Sequence, residues 1–188
     1  MGSPKALLPY RGETFLDTLV GLLAPLCRPV IVVLGSSADE IRARASRPAH
    51  FVVNAAWQSG QTSSMQCGLR AVPPEAEGVL FTLVDHPAVA PPTLEKLIRG
   101  QATKSPNCGD FAASLRIRVP RYQGRRGHPI WFSRGLVPEF LALPPDGAAR
   151  DVVARYRAET EFLDLDDPGI TADIDDPETF RALTGRGL

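Results

Sequence analysis

The chain has 188 residues, with 21 basic and 21 acidic side chains and no formal net charge at pH 7. That length suits one domain with a core of its own, and the charge balance excludes a global field drawing the protein to nucleic acid or anionic lipid. No apolar run approaches the ~20 residues of a membrane span or has the flanks of a signal peptide. Cys27, Cys67 and Cys108 are odd in number and lack zinc-site or disulfide spacing. A cytoplasmic protein with no nucleic-acid or membrane partner is expected, and any anionic ligand must be captured locally.

The opening residues, Met1-Gly-Ser-Pro-Lys5-Ala-Leu-Leu-Pro9, combine small residues, one long-stemmed cation and an apolar anchor. Backbone N–H groups at Gly2 and Ser3 with the Lys5 ammonium suit a buried triphosphate. A polar start leading into a buried Leu pair explains the same residues. Pro4 and Pro9 favour an extended run over a helix.

Apolar spacing at Phe15, Leu16, Leu19, Leu22 and Leu23 after Thr14 predicts an amphipathic helix that Pro25 helps to end. Residues 29–34 (PVIVVL) read as a strand covered on both faces, and Gly35, Ser36 and Ser37 turn into a polar helix over 38–45. The alternation continues with a strand at 51–53, a helix at 63–70, a strand at 78–84 and a helix at 93–99. Such punctuation predicts a mostly parallel sheet with helices on both faces and ligands at the carboxyl ends of its strands. After Gly109 the rhythm changes: a strand at 112–119, a Gly/Arg turn at 124–127 and apolar residues at 130–132 predict an antiparallel excursion. Helices at 136–141 and 148–155, a strand at 161–165 and a helix from Pro177 complete the chain.

Asp85 follows the apolar strand directly, where a carboxylate faces the ligand crevice and suits Mg²⁺, a hard cation shared with substrate phosphate; an Asp capping the next turn is the plainer alternative. In the segment Asp173-Ile-Asp-Asp-Pro177, alternate side chains share a side, so Asp173 and Asp175 point together while Ile174 packs inward. Asp176 before Pro177 reads as a helix cap, leaving Asp175 the metal-side candidate. Ser63, Ser64 and Gly68 begin a helix whose N–H groups and hydroxyls suit a base or phosphate, or an ordinary N-cap. His128, in a Gly-His-Pro turn, faces a ligand or serves as a hydrogen-bonded structural residue. The spacing of His50, His86 and His128 offers no metal-ligand pattern.

Taken in order, the opening segment, Gln61-Thr-Ser-Ser-Met-Gln-Cys-Gly68, Asp85-His-Pro87, Gly127-His-Pro129 and Asp173-Ile-Asp-Asp-Pro177 resemble the MobA-like nucleotidyltransferases, and within them the molybdenum cofactor cytidylyltransferases. The resemblance implies a three-layer α/β/α, Rossmann-like fold of the nucleotide-diphospho-sugar transferase type. It implies Mg²⁺-dependent transfer of CMP from CTP to molybdopterin with release of pyrophosphate. Carried over, Lys5 would contact the triphosphate together with Gly2 and Ser3, and Asp85 would ligate Mg²⁺ with Asp175 and Asp173. Ser63, Ser64 and Gly68 would lie along the nucleotide. His128, with Arg150 of Asp146-Gly-Ala-Ala-Arg150, would face the acceptor. GTP as donor, a sugar phosphate as acceptor, or a non-catalytic role in maturing a molybdoenzyme are the alternatives. One departure stands out: the family's buried strand and Gly-rich loop, Leu-Ala-Ala-Gly ending in Arg-Met-Gly, is represented only by its final Met-Gly. A single domain lacking its central N-terminal strand is therefore expected, Met1 being an internal methionine or the chain being shortened.

Overall fold

A computed structural model describes residues 4–100, 115–172 and 174. The first described element is a 3-10 turn over Lys5–Leu7, closed by the Leu7 N–H donating to the Pro4 carbonyl. This corrects the expected extended run: Pro4, at φ −55°, needs no donor of its own to begin a turn. A hairpin follows, β1 (Pro9–Tyr10) against β2 (Glu13–Thr14). Its bend at Arg11 (φ 50°) and Gly12 (φ 95°) is the left-handed pair that tight hairpins require.

Helix α1 (Phe15–Leu23) begins where the Thr14 hydroxyl accepts the Asp17 N–H, and it buries Phe15, Leu16, Leu19, Val20 and Leu23. Asp17 in turn accepts the N–H groups of Ser46 and Arg47, tying α1 to the far end of the next helix. Strand β3 (Ile31–Leu34), helix α2 (Ala38–Arg44) and strand β4 (His50–Val53) form a parallel β-α-β unit.

The chain continues through α3 (Gln61–Arg70), β5 (Gly78–Phe81) and α4 (Pro91–Arg99). After that come β6 (Ile117–Tyr122), β7 (Arg125–Arg126), β8 (Ile130–Ser133), α5 (Val137–Leu141), α6 (Ala149–Arg155) and β9 (Thr160–Asp164). Strand β8 runs antiparallel between β5 and β6, β7 folds back on the end of β6, and β9 lies parallel to β6 on its other side. The antiparallel excursion is thus the insertion of β8, and the sheet is mixed. Helices α3, α5 and α6 cover one face through Met65, Leu69, Val137, Phe140 and Val152, with Phe132 and Phe140 rings 4.2 Å apart. Helices α1 and α4 cover the other through Leu19, Leu23 and Leu94, with Leu97 packed on Leu163. The result is the expected α/β/α arrangement.

Two strand boundaries move. Strand β5 stops at Phe81, because the chain turns where the His86 N–H reaches the Leu83 carbonyl. Strand β6 passes through Pro120, which gives up only its donor; its carbonyl still accepts the Gly127 N–H. Residues 112–114 of the expected strand and the helix from Pro177 lie outside the described residues.

Between β3 and β5 lies a cavity of about 740 Å³. Among the described residues β3 pairs only with β4 and β5 only with β8, so one edge of each faces this space. Its walls are apolar: Val30 to Leu34, Val79 to Phe81, Leu16 and Val20 from α1, Met65 and Leu69 from α3. At its mouth stand Lys5, Ser36, Gln61 and Ser64.

Candidate functional site

Asp85 sits in the turn just beyond β5, at the carboxyl end of the strand. Lys5 approaches it from the opening turn, Nζ to Oδ2 3.7 Å, with the Asp85 side chain only 17% exposed. The pairing depends on packing far from either charge: Leu7 buries into the cluster of Leu16, Val20, Leu34 and Ile41, anchoring the turn that carries Lys5. His86 Nε2 lies 3.6 Å from the other oxygen, Oδ1, which is buried and accepts no hydrogen bond among the described residues. A buried carboxylate oxygen without a donor is costly in a protein alone and suits a site completed by a cation. Ile174, fully buried against Leu8, Tyr10 and Phe15, donates its N–H to the Asp85 carbonyl, so the C-terminal segment meets this turn at the residue expected to pack inward. Asp173 and Asp175, and likewise Gly2 and Ser3, lie outside the described residues.

The nucleotide-side candidates on α3 divide. Ser64 and Gly68 line the large cavity one helical turn apart. Gly68 also lets α3 pack against β3, since a Cβ there would stand 2.8 Å from Val33 Cγ2. Ser63 turns toward the backbone, donating to the carbonyls of Ala56 and Gly60. Asn54, which sequence reasoning missed, orders both serines: its buried amide donates to Ser63 Oγ at 2.9 Å and to Ser64 Oγ at 3.0 Å. Its signal was an asparagine closing a β-branched strand. Replacing Asn54 by alanine removes the amide that orders both hydroxyls and is expected to cost about 1.4 kcal/mol of stability, the scale of a disrupted buried hydrogen-bond pair; urea unfolding checks this, and unchanged stability would show that the serines are ordered without Asn54.

His128 and Arg150 come together around a second cavity of about 260 Å³, with Gln61, Thr62, Met65, Phe81, Leu83, Ala148 and Ala149. Gln61 and Met65 line both cavities, so the two meet at the first turn of α3. Gly127 lets the His128 turn approach Ile170, whose carbonyl accepts the His128 N–H; a Cβ on Gly127 would collide with that carbonyl. The His128 ring lies 5.1 Å from that of His86. Burial first, then the His86 ring, hold His128 down at about 4, against the opposing pull of Asp85 and a hydrogen bond with the Phe81 backbone. His128 is therefore a neutral imidazole at pH 7 and adds no positive charge to the second cavity.

This depression has a stability consequence of definite sign. Unfolded, His128 takes up a proton near pH 6.5; folded, it resists until about 4, so stability is lost as pH falls through that window. The loss amounts to about 3 kcal/mol. Urea unfolding of metal-free protein at pH 7 and pH 4 should recover most of that difference in the wild type and little of it in His128→Gln.

The α/β fold thus carries a lysine–carboxylate pair at a strand's carboxyl end and two cavities that meet at the start of α3. The chain belongs to the family of the MobA-like NTP transferase domain, which matches residues 1–160. It is 34% identical over 183 residues to nicotine blue oxidoreductase of Paenarthrobacter nicotinovorans, covering 96% of this chain and 87% of the relative. It is 24% identical over 182 residues to molybdenum cofactor cytidylyltransferase of Escherichia coli K12, covering 96% and 86%. The structure of Rv0371c from Mycobacterium tuberculosis superposes with a TM-score of 0.80 at 30% identity, covering 99% of this chain and 91% of that one. Rv0371c has also been crystallised in complex with manganese, matching with a TM-score of 0.76.

Proposed function

We propose that this protein is a divalent-metal-dependent nucleotidyltransferase that moves CMP from CTP to molybdopterin and releases pyrophosphate. The observation that carries the reading is the Lys5–Asp85 pair, whose lysine lines the large cavity and whose carboxylate has a buried Oδ1 without a hydrogen-bond donor among the described residues. In the reaction an oxygen of the acceptor phosphate attacks the α-phosphorus in line, a new P–O bond forms, and the bond to the β-phosphate breaks. Lys5 neutralises charge gathering on the departing pyrophosphate. Gly2 and Ser3 offer N–H groups to the same phosphates, while Ser64 and Gly68, with Ser63 behind them, border the nucleotide. Neutral His128 and Arg150 hold the acceptor on the other side of α3.

Mg²⁺ would be held by Asp85 with Asp175 and Asp173, and would supply charge neutralisation at the phosphates; the manganese complex of Rv0371c supports a divalent ion in this family. No described helix is long and apolar enough to cross a membrane.

We also propose that one extended apolar segment belongs between β3 and β5, since two unpaired strand edges face an apolar space there.

The test is pyrophosphate release from each of the four NTPs with molybdopterin and Mg²⁺: CTP should be preferred, GTP preference would change the donor, and nucleotide binding without turnover would favour a maturation role. The 34% identity to a protein named for oxidation or reduction of nicotine blue favours a second reading. Colour change of nicotine blue, with no pyrophosphate from any NTP, would establish that reading instead.

A further inference from the structure

Thr62 and Gln66 lie one turn apart on α3 and take no part in the phosphate chemistry. Thr62 is 8% exposed. Its hydroxyl donates to the carbonyl of Gly147, across 85 residues of sequence. The Gln66 amide reaches the carbonyls of Phe140, Leu141 and Leu143 at 3.3, 3.2 and 2.9 Å, holding the end of α5 and the residues just after it.

The loop that Thr62 holds, 144–150, is otherwise closed on itself: Gly147 N–H donates to the Pro144 carbonyl, Ala148 N–H to Asp151 Oδ2, and Asp151 N–H to the Ala148 carbonyl. That same loop delivers Ala148, Ala149 and Arg150 to the wall of the 260 Å³ cavity opposite His128. One side of the first turn of α3 therefore carries the serines ordered by Asn54, and the adjacent side grips the rim of the second cavity.

We propose that Thr62 is a positioning residue: its bond to Gly147 latches the Arg150 loop to α3, so the helix bordering the nucleotide also sets the acceptor cavity. The inference rests on the nucleotidyl-transfer reading. The latch works through geometry alone, because a hydroxyl donor on a buried helix face has one acceptor within reach and fixes one position of the loop.

Thr62→Val removes the donor while keeping the volume; Thr62→Ser keeps the donor. Hydrogen exchange at Gly147–Asp151 amides should accelerate about tenfold or more in Thr62→Val, the scale of one lost hydrogen bond at ~1.4 kcal/mol, and stay at the wild-type rate in Thr62→Ser. In turnover with CTP and molybdopterin, Thr62→Val should raise the KM for molybdopterin at least fivefold with the KM for CTP within twofold, and Thr62→Ser should restore it. Wild-type exchange in Thr62→Val overturns the latch, as does an equal rise in both KM values. A wild type that binds no NTP in calorimetry overturns the functional reading instead, and the exchange comparison still decides whether the latch exists.

Discussion

Replacement of Asp85 by asparagine should abolish pyrophosphate release while leaving the fold intact. The substitution keeps the shape and removes the charge of the one described carboxylate that lies beside Lys5 and has a buried oxygen without a donor. A lost metal carboxylate in a phosphoryl-transfer site costs about 4 kcal/mol of transition-state stabilisation, roughly a thousandfold in rate. Stability should not fall with it, because removing the charge relieves the burial of Oδ1. Thermal unfolding and single-turnover assays on the same preparation separate the two effects. A variant that turns over within tenfold of the wild type would remove Asp85 from the mechanism. Lys5→Ala should act in the same direction but less severely, since the metal shares the work of neutralising the pyrophosphate.

A chain bearing an apolar strand that ends in the family's Leu-Ala-Ala-Gly and Gly-rich loop ahead of Met1 should be markedly more stable than the chain without it. Among the described residues the cavity between β3 and β5 presents two unpaired strand edges and walls of Val, Leu and Ile, and a strand there would pair its N–H and C=O groups on both sides. Two aliphatic side chains buried in that space contribute about 3–6 kcal/mol, which corresponds to roughly 10 °C or more in Tm for a chain of this size. The segment would leave the cavity near Pro4 and Lys5, which line it, so turnover should rise along with stability. An unchanged Tm would mean that the cavity is not a strand site.

Much of the α/β alternation was legible because hydrophobic periodicity and punctuation are local signals. The run at Ile31–Leu34 is continuous in apolar β-branched residues because both faces are covered, and Thr14 announces α1 by a bond spanning three residues. The position of Asp85 at the strand's carboxyl end was legible for the same reason, since the apolar run before it is a local signal. Pro120 misled because a proline breaks a strand only where its missing donor is needed. The hairpin at Pro9–Thr14 escaped notice since two-residue strands carry no period.

By itself the amino-acid sequence determined which elements form, in what order, and which residues carry charge at strand ends. Only the tertiary structure decided who meets whom. It put Lys5 beside Asp85, Ile174 on the Asp85 carbonyl, Asn54 behind two serines and Thr62 under Gly147, contacts that span from 9 to 89 positions of chain. No local propensity encodes such pairs; they follow from burying the apolar faces of several elements at once, which brings polar groups distant in sequence within hydrogen-bond reach.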